Sequence, residues 1–256
     1  MKTALRTPAE LAQLRDAGHL AWSILRRVAE RAIPGVTTLA LADEAQRLID
    51  AEGCIATSRE FVFRGSPPFP HAASVSVNEE AMYGVPGSRV LEPGDLATID
   101  LTLLTPLGWH ADAATSVAVG GIDSPDRPAR LLRASGAVFE AMLAAMQPGA
   151  WWSEVMAHAS VACGNLGLHL LPGIVAHGIG REMHELPWLF HARPDQPDVR
   201  LRPGLVLAVE PVVLEAEPDL ATDANGWTLS SASGRWSAFE ERMVAITETG
   251  PEVLTR

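Results

Sequence analysis

The feature that most constrains the fold is a short frame that occurs twice, a Pro-Gly turn, an apolar stretch and a carboxylate seven residues after the proline. It spans residues 93–100 and 203–210, which puts its two carboxylates, Asp100 and Glu210, 110 positions apart. Such self-similarity predicts one domain of residues 1–256 built from two α+β halves, about 1–125 and 126–256. Because Pro-Gly is a common turn, coincidence is the alternative explanation.

Each half is also predicted to begin with two helices. Thr7-Pro8-Ala9-Glu10 has a hydroxyl N-cap, a proline in the first turn and a glutamate at the capping-box position. Apolar residues follow at helical spacing. We predict helices from Pro8 toward Val28, from Thr38 to about Glu52, from Arg130 to Met146 and from Ser153 to Asn165.

Composition narrows the class of protein. The chain has 256 residues, 47% of them hydrophobic, and a formal net charge of −11, which disfavours binding to nucleic acid or to anionic lipid. There is no apolar run long enough for a membrane span and no signal-peptide pattern at the N-terminus. Cys54 and Cys163 lack Cys-x-x-Cys spacing and are expected to be reduced. We therefore expect a cytoplasmic protein, a monomer, with no nucleic-acid or membrane partner.

Five potential metal ligands lie on or beside apolar stretches that should be buried. An unpaired ionised carboxylate in a protein core costs several kcal/mol or more, so several of them around one imidazole indicate bound divalent cations. Carboxylate oxygens with one imidazole suit Mn, Fe, Co or Zn. The five residues are Asp100, Asp112, His177, Glu210 and Glu241.

Strand alternation predicts how the first two ligands meet. Asp100 shares a strand face with Thr98 and Thr102, and residues 104–108 look like a hairpin connection. The returning strand can place Asp112 beside Asp100. Two carboxylates that close would repel each other unless a cation lies between them.

Two histidines and the last glutamate complete the set. Ala176-His177-Gly-Ile-Gly-Arg lacks the length and lysine of a phosphate-binding loop, so we exclude that function. His184 follows in Met-His-Glu-Leu-Pro, and either histidine alone would more often be structural. In the last segment alternation sends Glu241 inward with Met243, whereas Glu240 would pair with an arginine at the surface.

The order Asp, Asp, His, Glu, Glu resembles the metal site of the type I methionine aminopeptidases of the pita-bread fold. The neighbouring motifs Val-Asn-Glu79, Ala-His-Gly-Ile-Gly-Arg181, His-Glu-Leu-Pro187, Glu-Pro211 and Asn-Gly-Trp227 carry the same resemblance, which covers nearly the whole chain. It implies an α+β fold, a pseudo-twofold pair of halves around an antiparallel sheet, with two divalent metal ions held by the five ligands.

The resemblance also implies a reaction and a pocket. Water activated between two cations would hydrolyse the peptide bond after an N-terminal methionine whose following residue is small. Glu210 would accept and pass on the proton, and His184 would help to polarise the carbonyl group. The partner would be a peptide or a nascent-chain N-terminus. The pocket for the methionine side chain would be lined by Phe63, Phe69, Ser74, Met183 and Trp227; ordinary core packing is expected for Trp109, Trp151, Trp152 and Trp188.

One position departs from the family pattern. Family members read His-Gly-x-Pro where this chain reads Tyr83-Gly-Val-Pro86, and the usual histidine bonds near the scissile amide. A phenol donates one hydrogen bond but stays neutral near pH 7. The alternatives are a slower methionine aminopeptidase, a related amino-terminal or Xaa-Pro peptidase with another preference, and a metal-bound protein without hydrolytic activity. Retention of all five ligands disfavours the last.

Overall fold

The computed structural model describes residues 3–63, 65–121, 127–191 and 197–256. The boundary predicted between the two halves, at residues 125 and 126, lies outside the described residues. The helices are α1 (Pro8–Ala29), α2 (Thr38–Ala51), α3 (Arg127–Ala145) and α4 (Trp152–Asn165). The strands are β1 (Ile55–Ala56), β2 (Ala73–Val77), β3 (Glu80–Met82), β4 (Leu96–Leu104), β5 (His110–Ala118), β6 (His169–Leu170), β7 (Ile174–Gly178), β8 (Glu185–Phe190), β9 (Val206–Val209), β10 (Val212–Leu214), β11 (Leu220–Thr222), β12 (Leu229–Ser231), β13 (Ser237–Phe239), β14 (Arg242–Thr247) and β15 (Gly250–Val253).

Local sequence signals explain where the helices begin. The Thr7 hydroxyl accepts a hydrogen bond from the Glu10 amide, and the Glu10 carboxylate accepts one from the Thr7 amide, which is the predicted capping box. The Thr37 hydroxyl caps α2 in the same way through the amide of Ala40. All four predicted helices are confirmed, although α3 starts three residues before the predicted Arg130.

The first sheet carries the predicted hairpin. β4 pairs along its whole length with β5, and its other edge pairs with β1 and β2; every pairing is antiparallel. The hairpin between residues 104 and 110 closes through a hydrogen bond of 2.9 Å from the Thr105 amide to the Trp109 carbonyl. Helices α1 and α2 cover this sheet.

The second sheet has the strand order β15-β14-β9-β7-β8, also antiparallel throughout. Two three-stranded sheets flank the large ones, β13-β10-β6 and β11-β12-β3. An isolated antiparallel bridge between Ala114 and Glu241 joins β5 of the first sheet to the residue that precedes β14 of the second. The two large sheets therefore meet beside two of the predicted metal ligands.

Two large apolar cores lie on the helical sides of these sheets. The first packs α1 and α2 against the β4/β5 sheet, and the second packs α3 and α4 against the β7/β9/β14 sheet. Trp109 and Trp152 belong to these cores as expected. The expectation is wrong for Trp151, whose side chain is 44% exposed because it lies just before α4 at the surface. Among the described helices, none combines the length and apolar character that crossing a membrane requires.

Candidate metal centre and substrate cavity

The hairpin brings the two aspartates to one face of the first sheet. Asp100 is opposite Ala114, and Thr102 is opposite Asp112. The two carboxylates therefore lie on the same face of the sheet, on neighbouring strands and two residues apart along them. The Thr102 hydroxyl donates a 2.9 Å hydrogen bond to the Asp112 carboxylate, which fixes its rotamer. Asp112 is 5% exposed and Asp100 is partly exposed, and both line the same cavity.

The second sheet supplies the imidazole and the next carboxylate. Nδ1 of His177, on β7, donates to the Gly178 carbonyl at 3.0 Å, which leaves Nε2 free to bind a cation. Nε2 lies 3.9 Å from an Asp112 oxygen and 3.9 Å from a Glu210 oxygen. These separations are too long for hydrogen bonds, but ligand bonds of ~2.0–2.2 Å would let either pair reach one ion.

Glu241 enters from the segment between β13 and β14. The Glu241 amide donates to the Ala114 carbonyl at 3.0 Å, and its side chain is 3% exposed. Glu240 instead faces away, where its carboxylate pairs with Arg242 and accepts a bond from Thr115. The ligand atoms of Asp112, His177 and Glu241 all lie within 4.8 Å of one another, a group that could hold a metal ion.

The electrostatics of this cluster favour a bound cation. Burial raises the pKa of Asp112 to about 7, and burial together with the nearby Asp112 raises the pKa of Asp100, Glu210 and Glu241 well above their usual values. Burial lowers the pKa of His177 to about 4, so its ring is neutral at pH 7. Among the described residues, no arginine forms an ion pair with any of the four carboxylates. Hard oxygen ligands with one neutral imidazole therefore fit divalent cations.

His184 stands beside this cluster, in the turn before β8. Its ring meets that of His177 edge to face at a centroid distance of 4.5 Å and lies 5.1 Å from Phe61 and 5.2 Å from Trp188. Burial, and then the neighbouring His177, lowers the pKa of His184 to about 3. The ring is thus a neutral hydrogen-bonding group aimed at the ligand cluster. Trp188, expected in the core, is instead partly exposed and packs against both histidines.

One cavity contains the five ligands together with most of the predicted pocket. Phe69, Ser74, Met183 and Trp227 line it, whereas Phe63 lines an adjoining cavity. The Trp227 ring packs edge to face on Phe69 at 5.2 Å and its indole N–H donates to the Pro67 carbonyl at 2.8 Å, which holds the ring as a fixed wall.

Three further residues line the same cavity, and sequence reasoning missed them: Ser58, Phe61 and Thr102. Thr102 could have been found, because strand alternation already placed it on the face of Asp100. Ser58 and Phe61 precede the Pro-rich loop and carry no periodic signal. Contacts with distant residues position them: the Thr102 amide donates a hydrogen bond to the Ser58 hydroxyl, and the Phe69 amide donates one to the Phe61 carbonyl.

Tyr83 lies at the edge of the ligand cluster in a left-handed conformation, with φ of 56°. Its carbonyl accepts a 3.2 Å hydrogen bond from the Thr228 hydroxyl, and its ring packs 6.0 Å from Trp227. Burial, and then the nearby carboxylate of Glu210, raises the pKa of the phenol well above its usual value. The phenol is neutral and can donate one hydrogen bond within the cavity.

Gly84 follows it in a space that only glycine fits. A Cβ there would lie 2.3 Å from the Val75 carbonyl oxygen and 2.6 Å from Cα of Ser76. The Gly84 carbonyl accepts a 2.9 Å bond from the Val75 amide, and the Gly84 amide donates to the Ser76 hydroxyl at 3.0 Å. This close approach to β2 sets the position of Tyr83.

Comparison with known proteins agrees with this architecture. The chain is 34% identical over 251 residues to methionine aminopeptidase 1 of Bacillus subtilis (strain 168), covering 98% of each chain. The crystal structure of a methionine aminopeptidase from Thermotoga maritima superposes with a TM-score of 0.89 at 29% identity, covering all of both chains. That of the Rickettsia prowazekii enzyme gives 0.92 at 24% identity, again over all of both chains.

The α+β pita-bread fold predicted from the sequence is confirmed by these structures. Residues 12–248 match the sequence model of metallopeptidase family M24. This match covers most of the chain, and the full-length relative exceeds 30% identity. The chain belongs to metallopeptidase family M24.

Proposed function

We propose that this protein is a dinuclear-metal aminopeptidase that hydrolyses the N-terminal methionine from peptides or nascent proteins with a small second residue. The observation that carries the proposal is the buried set of carboxylates and His177 on the floor of a cavity walled by Phe69, Met183 and Trp227. The relatives named methionine aminopeptidases support the same activity.

Two divalent cations, Co, Mn, Fe or Zn, would be held by the residues that line this floor. When bound, the cations lower the pKa of a water molecule and polarise the scissile carbonyl group. The side chains that would hold them are those of Asp100, Asp112, His177, Glu210 and Glu241, which all line this cavity.

Three side chains would handle protons and hydrogen bonds around the scissile bond. Glu210, enclosed beside His177, accepts the proton of the attacking water and passes it to the departing amine. His184, held between Phe61 and Trp188, donates a hydrogen bond to the carbonyl oxygen as negative charge develops there. The neutral Tyr83 phenol donates a hydrogen bond to the substrate main chain.

Substrate choice would follow from the apolar side chains that line the cavity. Phe69, Met183 and Trp227 offer aromatic and thioether surface, which suits the polarizable methionine side chain. A charged side chain would have to lose its hydration against these walls. Phe63, which lines the adjoining cavity, would contact the substrate on the other side of the wall that the two cavities share.

The cellular setting is part of the proposal. Cys54 and Cys163 are both free and buried, as expected for a protein of the cytoplasm. The net charge of −11 disfavours nucleic acid as a partner. We expect the protein to act as a monomer on a peptide or nascent-chain N-terminus.

A second candidate function is that of a related amino-terminal or Xaa-Pro peptidase that prefers a different N-terminal residue or a different second residue in its substrate. Tyr83 favours it, because this neutral phenol stands beside Glu210 and Trp227 at the place where the family has an imidazole. A metal-bound protein without hydrolytic activity is disfavoured, since a decaying site would not retain all five potential ligands around one cavity.

Metal analysis tests the centre. Freshly purified protein, or protein incubated with Mn, Co or Fe and then desalted, is expected to retain up to two divalent ions per chain. Asp112→Asn with Glu241→Gln should retain none, whereas Glu240→Gln, the change at the surface neighbour, should not alter the metal content. Absence of any divalent ion from the natural protein under all these conditions would sink the proposal.

Peptide hydrolysis tests the activity. Met-Ala-x should be cleaved faster than Leu-Ala-x, Pro-Ala-x or x-Pro peptides in at least one of the metals, and Tyr83→His should be measured beside the natural protein. Faster cleavage of Pro-Ala-x or x-Pro would instead support the second candidate. If only Tyr83→His is active, the natural chain is a degraded relative.

A further inference from the structure

A second cavity of about 190 Å³ adjoins the candidate metal centre. The wall that the two cavities share is formed by Phe61, Tyr83, His177, His184, Glu210 and Trp227. Away from this wall the described lining residues carry no charge, and they include Met82, Leu171, Pro172, Ile174, Trp188 and Leu229. A largely apolar cavity joined to a peptidase centre is a place for part of the substrate.

The direction of the peptide follows from which residues line only one cavity. Phe69, Ser74 and Met183 line the metal cavity alone and mark the end that takes the first side chain. The proposed chemistry takes place at the shared wall. The residues that follow the cleaved bond must therefore leave across this wall, into the apolar cavity.

The wall itself limits the second residue. Five ring side chains line both cavities, so a side chain at the second position lies among rings: those of Phe61, Tyr83, His177, His184 and Trp227. A small side chain at the second position suits such a ring-lined passage. The third residue is the first whose side chain lies clear of these rings and against the aliphatic lining.

We infer that the apolar cavity is a binding subsite for the third residue of the substrate and that it selects a large uncharged apolar side chain there. This inference rests on the proposed aminopeptidase function and extends it to the substrate class, peptides that begin with methionine, a small residue and an apolar residue. Leu171 and Leu229 provide much of the contact surface, and both are partly exposed toward the cavity.

The test compares kcat/KM for Met-Ala-Leu-Gly and Met-Ala-Glu-Gly with the metal-loaded natural protein. Transfer of a leucine side chain from water into an apolar site predicts about a tenfold preference for the leucine peptide. Leu171→Arg and, separately, Leu229→Arg should reduce or reverse this ratio, because each adds a cation that attracts glutamate. Val161→Arg is the matched control: Val161 is exposed on α4 and lines neither cavity, so the ratio should stay unchanged.

These measurements distinguish failure of the third-residue subsite from failure of the aminopeptidase activity itself. Equal kcat/KM for the two peptides in the natural protein, or an unchanged ratio in both arginine variants, would overturn the subsite while leaving the aminopeptidase activity standing. Failure to cleave either peptide in Mn, Co or Fe would overturn the proposed function and the subsite with it. A side-chain preference confined to the second residue would also overturn the subsite.

Discussion

Replacing Gly84 by alanine should damage both stability and activity, because the backbone leaves no room for a methyl group. The new Cβ would lie 2.3 Å from the Val75 carbonyl oxygen, more than 1 Å inside an ordinary contact of ~3.5 Å. The obstructing atoms are backbone of β2, which the register with β4 holds in place. The residue cannot adapt by choosing another rotamer, so the loop must move.

The magnitude follows from the overlap. Overpacking a tight site typically costs ~1–3 kcal/mol, and we expect the upper part of this range because no flexible side chain can yield. At ~2–4 °C per kcal/mol for a chain of this size, the midpoint of thermal unfolding should fall by about 5–10 °C. Displacement of the neighbouring Tyr83 by ~1 Å should lower kcat/KM for a Met-Ala peptide by about 10²-fold.

The same segment provides a matched control. A Cβ at Gly87 would meet no atom within 4 Å, so Gly87→Ala should be nearly neutral in both measurements. Thermal unfolding and peptide hydrolysis of the two variants, at equal metal content, check the reasoning. It would be refuted if Gly84→Ala and Gly87→Ala gave the same unfolding midpoint and the same kcat/KM.

Three other outcomes are expected. In the presence of a chelator, the free energy of unfolding of the natural protein, relative to that of Asp112→Asn, should fall as the pH rises from about 5 to 7. Folding raises the pKa of Asp112 from 3.8 to about 7. The stability that the protonated Asp112 contributes is therefore fully present below pH 3.8 and is lost as the pH rises through 7. Urea denaturation measures this difference, the shared histidine titrations largely cancel, and a difference independent of pH would contradict it. Glu210→Gln should reduce kcat by ~10²- to 10⁴-fold, and a kcat within threefold of the natural value would exclude Glu210 as the proton carrier. Tyr83→Phe, which removes only the phenolic hydroxyl, should lower kcat more than it raises KM in steady-state assays; a change in KM alone would assign the hydroxyl to ground-state binding.

Local signals predicted much of the fold. The capping box at Thr7 and Glu10 and the helical spacing after it depend on residues three or four apart, so they can be read from the chain directly. The β4/β5 hairpin likewise follows from strand alternation and a short connection. These are short-range interactions, and their predictions agree with the structure to within a few residues.

Contacts between distant segments could not be predicted in the same way. The position of Phe61 beside His184, the partly exposed setting of Trp188 and the apolar cavity near Leu171 depend on how loops close over the sheets. The left-handed conformation of Tyr83 depends on the contact of Gly84 with β2. Such features result from packing between elements far apart in sequence, which composition and periodicity do not specify. The ligand set could be proposed from its apolar surroundings, and the resemblance to a known family agreed with it, but neither specified these cavity walls.

The bridge between Ala114 and Glu241 joins the two large sheets, which come from the N-terminal and C-terminal parts of the chain. The first sheet contributes Asp100 and Asp112, and His177, Glu210 and Glu241 come from the second sheet and the segments beside it. Neither the part of the chain before α3 nor the part from α3 onward contains all five ligands. If the chain is cut between β5 and α3, the two fragments should therefore associate more tightly when a divalent cation is present. Ligands from both fragments would bind the ion, and a chelator should weaken the association again.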